Sequence, residues 1–227
     1  MSVLPERPDW YLNQMREGQP FTFVRFGNGE WSCIFSKATR TGSGSQALTS
    51  PALRQGLEAA VRFSDKRYFR GIQSVDYLRH LGLWSLISEY EPEVKWHVGD
   101  MWHHASARGK LYPLVKWLRT QRVGLIGPAF LNSLLPWAWH VKVKPKDCFQ
   151  DYYKIRSAIL SQSVADVYAF SAGPTAKVLI RELYEVIGHR AFILDFGSLW
   201  DPYCGKVSRK YHKKITPDLV KLNLEGE

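Results

Sequence analysis

The sequence of 227 residues has no long apolar segment. Its longest apolar runs fall well short of the roughly 20 residues that a helix needs to cross a bilayer. The first sixteen residues are polar, contain Pro5 and Pro8, and lack the apolar core of a signal peptide. We therefore predict a protein with no membrane span and a cytoplasmic location.

Cysteine is scarce. Cys33, Cys148 and Cys204 are odd in number and widely separated along the chain. Such a set indicates neither a disulfide framework nor a zinc site, and it favours a reducing compartment. This agrees with the cytoplasmic prediction.

Several familiar motifs are also missing. There is no Walker-type loop, GxGxxG fingerprint, zinc motif or nucleophile elbow. His103 and His104 are adjacent, so their side chains point in different directions and do not form a helical metal pair. We interpret both as ordinary surface or core histidines.

Acidic residues are few relative to basic ones. Asp and Glu number 21 against 31 Lys and Arg, which gives a net charge of +10. A basic excess of this size favours anionic partners. A nucleotide, a nucleic acid, an acidic polymer and a merely solvated basic surface all remain open at this point.

The order of predicted elements indicates an α/β fold. Short strands rich in β-branched and aromatic residues alternate with amphipathic helices along the chain. The pattern predicts single helices over residues 74–89, 107–119 and 130–135, and a ligand-facing or mobile loop over 39–46. We expect one domain over residues 1–227, with a mainly parallel sheet, helices on both faces and a basic, loosely packed tail from about residue 205.

Residues 21–31 predict a buried strand that runs into a polar turn. Gly27 and Gly29 flank Asn28, and Glu30 follows at once. Glycine permits positive φ and close approach of a ligand. The turn would place an amide and a carboxylate at the end of a strand, where open α/β sheets bind ligands. A plain strand-to-helix turn is the alternative.

Residues 171–175 form a second candidate turn, which opens a helix. Small side chains leave the first helical N–H groups accessible, and the helix dipole adds partial positive charge there. Proline in the first turn of a helix removes no needed hydrogen bond. This pattern suits a phosphate, although an ordinary helix start is the alternative. The residues are Ser171, Ala172, Gly173, Pro174 and Thr175.

A third candidate follows a predicted strand at residues 191–196. Asp195 ends that strand, Gly197 and Ser198 follow, and Asp201 lies six positions further on. Two carboxylates there could bind a divalent ion or a ribose, or supply a general base. A turn-capping role for Asp195 is the alternative.

Cations and an aromatic ring come next, in residues 208–212. Arg209 could bind a diphosphate as a planar fork, and Tyr211 adds an aromatic ring beside it.

Together these stretches resemble the GT-D-type glycosyltransferases. Residues 23–31 are similar to the arginine–aromatic–Gly-Asp-Gly-Glu segment of that family, and residues 171–174 and 195–201 resemble its C-terminal half. The resemblance implies a Rossmann-like domain, a nucleotide-sugar donor, and an Asp-x-Glu motif with Mn²⁺ or Mg²⁺ near the diphosphate. Glu30 would be the motif glutamate, whereas Asn28 replaces the usual aspartate. Because a neutral amide is a poorer ligand for a hard cation, strong metal dependence is in doubt.

The resemblance leads us to expect a glycosyltransferase that uses a nucleotide sugar, with a UDP-sugar as the first choice. Glu30, Asp195 and Asp201 are the expected catalytic residues, and Glu30 and Asp201 the expected metal ligands. The expected donor-binding residues are Arg25, Gly27, Asn28, Gly29, Ser171, Ala172, Gly173, Pro174, Thr175, Gly197, Ser198, Arg209 and Tyr211.

The acceptor is the remaining question. Members of the resembled family act largely on surface glycans and glycoproteins. The charge of +10 and the aromatic content of 14% instead favour DNA that carries a hydroxymethylated pyrimidine, as in phage base modification, which would place the protein in the host cytoplasm. A non-catalytic nucleic-acid-binding module on the same scaffold is an alternative of a different class.

Overall fold

A computed structural model of the chain describes residues 1–36 and 50–227. The loop predicted over residues 39–46 lies outside these ranges. The strands are β1 Ser2–Val3, β2 Thr22–Phe26, β3 Tyr68–Ile72, β4 Lys95–Val98, β5 Val123–Pro128, β6 Trp139–Val143, β7 Val167–Phe170 and β8 Phe192–Asp195.

The helices alternate with these strands, as predicted. They are α1 Pro8–Arg16, α2 Asn28–Ile34, α3 Pro51–Arg62, α4 Val75–His80, α5 Trp84–Tyr90, α6 Met101–Ala107, α7 Tyr112–Arg119, α8 Tyr152–Leu160, α9 Gly173–Ile187 and α10 Pro217–Glu225. Short 3-10 helices cover Ala129–Leu131, Cys148–Asp151, Gly188–Arg190, Asp201–Cys204 and Lys210–Lys214. Within the described ranges, no helix is both long and apolar enough to cross a membrane.

All eight strands belong to one parallel sheet in the order β1-β4-β3-β2-β8-β7-β5-β6. From β2 the chain moves outward through β3 to β4, and from β7 it returns to β8 beside β2. The strand order therefore changes direction between β2 and β8, where open parallel sheets form a ligand crevice.

The core has two layers, one on each face of the sheet. Alternate residues of a strand point to opposite faces, so Val24 and Ile193 join one apolar cluster while Phe23 and Leu194 join the other. Helices α2, α3, α8 and α9 pack on the first layer, and α1, α6 and α7 pack on the second. The predicted single domain with helices on both faces is confirmed.

Three predicted helices are shorter than the sequence pattern suggested. The segment 74–89 is divided into α4 and α5 at Gly82, and 107–119 is interrupted between α6 and α7 at Gly109. Both glycines have positive φ, near +65° and +69°, which ends a right-handed helix. The helix predicted over 130–135 is reduced to the 3-10 turn Ala129–Leu131.

The C-terminal tail is partly better packed than predicted. Helix α10 lies against α6 and α7, and its Asn223 is fully buried. The Asn223 amide donates to Ser106 O at 2.8 Å and accepts from Leu111 N at 2.9 Å. The prediction of a loose tail is wrong for α10, because one buried amide bonds a carbonyl in the last turn of α6 and an N–H just before α7.

Candidate functional site

The candidate site lies at the carboxyl ends of β2 and β8. These strands are neighbours, with Thr22 paired to Ile193 and Phe23 to Leu194. The turn after β2 and the end of β8 therefore meet at one edge of the sheet. The structure brings together two of the three stretches that the sequence analysis singled out, although 170 positions separate Arg25 from Asp195.

Lys177 joins these stretches to the third one. It lies on the first turns of α9 and is only 2% exposed. Its Nζ is 2.9 Å from Asp195 Oδ2 and 3.0 Å from Glu30 Oε1, and it donates to Gly173 O at 3.1 Å. One ammonium thus holds the turn after β2, the end of β8 and the start of α9.

The electrostatics of this group keep it charged. Burial acts to lower the pKa of Lys177, but the charges of Asp195 and Glu30 outweigh burial and hold that pKa above its ordinary value. Burial likewise acts to raise the pKa of Glu30, and Lys177 with the Gly27 N–H outweighs it and holds that pKa low. Glu30 is therefore an ionised anchor and a poor proton acceptor.

Glu30 also closes the turn that precedes it. Its Oε2 accepts from Gly27 N at 2.9 Å, which is the glutamate half of a capping box at the start of α2. The neighbouring Asn28 N–H donates to Gln73 Oε1 at 3.0 Å. Gly27 and Gly29 are not among the glycines with positive φ, so this reason for glycine in the turn is wrong. A side chain at Gly27 would instead crowd Gln73.

Asp195 is held on every side. Its Oδ2 accepts from Arg25 N at 3.1 Å as well as from Lys177, and its Oδ1 accepts from Gly197 N at 3.0 Å. Gly197 has φ of +54°, and a Cβ there would collide with the Arg25 guanidinium. Glycine is thus required at position 197 for both conformation and space.

Arg25 extends the network to the end of β4. Its Nε donates to Gly99 O at 2.7 Å and its Nη2 lies 2.5 Å from Asp100 Oδ1. Burial acts to lower the pKa of Arg25, but Asp100, Tyr211 and Asp195 raise it overall. The buried cluster therefore contains two cations, Arg25 and Lys177, and three carboxylates, those of Glu30, Asp195 and Asp100.

The predicted phosphate turn has one feature of an anion site. Ser171 is buried, and its Oγ has no hydrogen-bond partner within the described residues. Gly173 has positive φ at +55°, and Pro174 occupies the first turn of α9. The end of the predicted stretch faces the core instead, because Cys148 Sγ donates to Thr175 Oγ1 at 3.2 Å and to Ala172 O at 3.3 Å.

The remaining predicted residues form a second set of contacts beyond β8. Ser198 Oγ and Tyr211 Oη are 2.8 Å apart, and Ser208 Oγ donates to Asp201 Oδ2. Burial raises the pKa of Asp201 despite that hydrogen bond. Arg209 is exposed, and its guanidinium donates to the carbonyl of Ser208.

The resemblance implies a divalent ion at Glu30 and Asp201, and the residues present do not fit one. Each Glu30 oxygen already has a partner, one of them the Lys177 ammonium. Asp201 is bonded to Ser208. Over residues 1–36 and 50–227, no three His, Cys, Asp or Glu side chains are arranged to hold a metal ion.

Sequence reasoning missed three residues of this site: Lys177, Asp100 and Gln73. Lys177 carried a usable signal, because Ile180 and Tyr184, three and seven positions further along α9, place it on an apolar helix face. His103 is buried, neither ring nitrogen has a partner among the described residues, and its ring centroid is 5.4 Å from that of Tyr211. His103 is thus a core histidine and His104 an exposed one, which are the two alternatives that the sequence left open.

Solved structures similar to this chain share its fold. One is a domain of unknown function 1792 (DUF1792) in selenomethionine-substituted form, with 18% identity, a TM-score of 0.67, and coverage of 89% of this chain and 80% of that one. A second, described as a highly conserved DUF1792 domain with a distinct glycosyltransferase fold, has 18% identity, a TM-score of 0.65 and the same coverage. A third, a new glycosyltransferase (DUF1792) from Streptococcus sanguinis, has 17% identity, a TM-score of 0.67, and coverage of 92% of this chain and 87% of that one.

The chain therefore shares the fold of these domains, one of which is described as having a distinct glycosyltransferase fold, and the α/β fold expected from the resemblance is confirmed. No protein-family model matches the sequence, and no curated protein matches it.

Proposed function

We propose that the chain is a glycosyltransferase that takes its sugar from a nucleotide-sugar donor at the carboxyl edge of β2 and β8. The observation that carries the proposal is the Lys177 network, which fixes Glu30, Asp195 and the start of α9 at the strand-order reversal of a glycosyltransferase fold. Buried ion pairs are often no more stabilising than apolar side chains in their place, and buried ionisable groups cluster at functional sites, so this network favours a functional site.

The donor diphosphate would lie at the first turn of α9. The first N–H groups of a helix favour anions, and the unpartnered Ser171 hydroxyl can donate to a phosphate oxygen. Arg209 and Tyr211 stand on the segment beyond β8 and would close the other side. A UDP-sugar remains the first choice of donor.

Asp201 is the best candidate for the general base. Glu30 and Asp195 are both bonded to Lys177, and the low pKa of Glu30 makes it a weak base. The pKa of Asp201 is raised by burial, which makes it a stronger base than an exposed aspartate. In the transfer, the acceptor oxygen bonds to the anomeric carbon and its proton passes to Asp201. The bond from that carbon to the diphosphate breaks, and the nucleoside diphosphate leaves.

A surface glycan or glycoprotein hydroxyl is the preferred acceptor. This choice rests on the GT-D fold and on the acceptors of the resembled family. The prediction of hydroxymethylated DNA rests only on the net charge of +10 and the aromatic content of 14%. If DNA were the acceptor, its binding would weaken steeply with added salt, and radiolabelled sugar would appear on hydroxymethylated but not on plain DNA.

The first experiment is thermal stabilisation by nucleoside diphosphates and their sugars. A ligand at 100 times its Kd adds about 2.7 kcal/mol to the free energy of unfolding, which is roughly 5–10 °C in Tm for a chain of this size. A shift with one nucleotide supports the donor site and identifies its base. No shift with any nucleotide at millimolar concentration would refute the proposal and favour a nucleic-acid-binding module.

The second experiment tests the chemistry with Asp201→Asn. We expect sugar transfer to fall by about 10²–10⁴-fold while the nucleotide-dependent Tm shift is retained. Asp218→Asn, in the exposed first turn of α10, is the matched control and should transfer at the wild-type rate. Full transfer activity in Asp201→Asn would remove Asp201 from the mechanism.

A further inference from the structure

Half of the net charge of the protein is concentrated in one short segment. Residues 205–214, called the basic segment here, contain five cations and no carboxylate, against a net charge of +10 for the chain. All five are exposed, and none forms an ion pair with another described residue. They are Lys206, Arg209, Lys210, Lys213 and Lys214.

The basic segment is held beside the candidate site. Ser208 bonds to Asp201, and Lys206 N donates to the carbonyl of Asp201 at 2.9 Å. Tyr211 bonds to Ser198, three residues past the end of β8. Buried His212 accepts from Ser208 N at 3.2 Å. The cations therefore project from a fixed backbone rather than from a free chain end.

Both cations in the interior of the site are already paired with carboxylates. Lys177 is shared between Glu30 and Asp195, and Arg25 is paired with Asp100. Three carboxylates against two cations leave this cluster with one net negative charge. A diphosphate placed next to it would be repelled unless cations from elsewhere face it.

We infer that the basic segment supplies the positive charge that holds the donor diphosphate, in the role that the resemblance assigns to a divalent ion. The inference rests on the proposed function and goes beyond it by naming Lys206, Lys210, Lys213 and Lys214 as phosphate-facing residues. Nucleotide binding is accordingly independent of divalent metal. The nearest competing use of the segment, binding of a nucleic acid, is an outcome of the test below.

The test compares two triple variants of equal charge by titration calorimetry. Lys210→Gln/Lys213→Gln/Lys214→Gln alters the basic segment. The control, Lys66→Gln/Lys95→Gln/Lys116→Gln, alters exposed lysines that precede β3, open β4 and lie on α7. All six side chains are exposed, so both variants should fold. The probes are UDP, GDP, ADP and CDP with their nucleosides, in EDTA and in Mn²⁺, and a short DNA duplex.

We expect EDTA to leave binding of the cognate diphosphate unchanged. In the basic-segment variant, that binding should weaken about tenfold or more, because three exposed charges of modest individual effect act on one ligand. Binding of the matching nucleoside should not change, and the control variant should bind both like wild type. Added salt should weaken diphosphate binding more in wild type than in the basic-segment variant.

Three results would overturn the inference. The basic-segment variant could bind the diphosphate as tightly as wild type. EDTA could abolish binding in wild type. The basic-segment variant could lose affinity for DNA and keep its affinity for the diphosphate, which would indicate that the segment binds a nucleic acid. If wild type binds none of the four diphosphates, the proposed function fails and the inference with it, whereas wild-type binding with an unaffected variant defeats the inference alone.

Discussion

Replacing Lys177 by methionine should destabilise the protein more than almost any other single change at the site. The substitution keeps the apolar stem and removes the ammonium, leaving Glu30 and Asp195 buried within hydrogen-bond reach of an empty position. Removing one partner of a buried ion pair costs about 3–5 kcal/mol. For a chain of this length, that is a loss of about 6–20 °C in Tm.

The stability that Lys177→Met loses should become smaller as the pH falls. In wild type the pKa of Glu30 is held low by Lys177 against burial, so this stabilisation is present above the unfolded pKa and is lost as pH falls through the folded pKa. In Lys177→Met burial acts with less opposition, and we expect that pKa to rise above the unfolded value. The variant then gains relative stability on acidification, by about 1.4 kcal/mol for each pKa unit of elevation.

Urea unfolding at pH 7 and pH 5 measures both effects. Lys116→Met on α7 is the matched control, because Lys116 is exposed in the same kind of element and should change stability by no more than about 0.5 kcal/mol. The double variant Lys177→Met/Glu30→Gln should recover part of the loss. A deficit under about 1 kcal/mol at pH 7, or one that does not shrink at pH 5, would refute the reasoning.

Three further predictions concern other parts of the fold. Gly197→Ala should lower the free energy of unfolding by about 2 kcal/mol or more and weaken nucleotide binding, because it adds backbone strain at positive φ and displaces the Arg25 guanidinium. The control is Gly205→Ala, where φ is +69° and a Cβ would meet no atom, so this variant should show the backbone strain alone. Asn223→Ala should cost about 2–4 kcal/mol in urea unfolding, since two buried backbone groups lose their partner. Burial, with nearby arginines, lowers the pKa of His97 to about 4, so native stability should fall as pH drops from 6.5 towards 4, and His97→Gln should flatten that part of the profile.

The sequence predicted the sheet well because buried parallel strands have a strong local signature. Runs such as residues 21–26 and 191–196 are apolar and β-branched or aromatic, and each became a strand within a residue or two of the prediction. Helix ends were harder. Gly82 and Gly109 each end a helix with positive φ, but a glycine inside an apolar periodic pattern does not by itself reveal that conformation.

The candidate site was predictable only as far as its strand ends. Arg25, Glu30 and Asp195 follow from the rule that ligands bind beyond the carboxyl ends of parallel strands. Lys177 stands out on an apolar helix face, but its pairing with Glu30 was not predictable, because 147 positions separate the two and nothing local to α9 identifies the residues that it contacts. Asp100 was missed for the same reason, since its importance comes from Arg25 on a different strand.

The position of Lys177 also explains why the buried charges of the site and the exposed cations of the basic segment are separate groups. A turn that carries Glu30 and a strand that ends in Asp195 would repel each other at the crevice, and the ammonium of α9 is what allows them to meet. Because that ammonium is already paired with two carboxylates inside the protein, it cannot also neutralise the charge of a substrate. Under the proposed function, the donor phosphates would therefore be bound by surface cations, which we infer to be those of the basic segment bonded to Ser198 and Asp201. Stability of the crevice and affinity for the donor should consequently separate by mutation: Lys177 controls the first and the exposed lysines control the second.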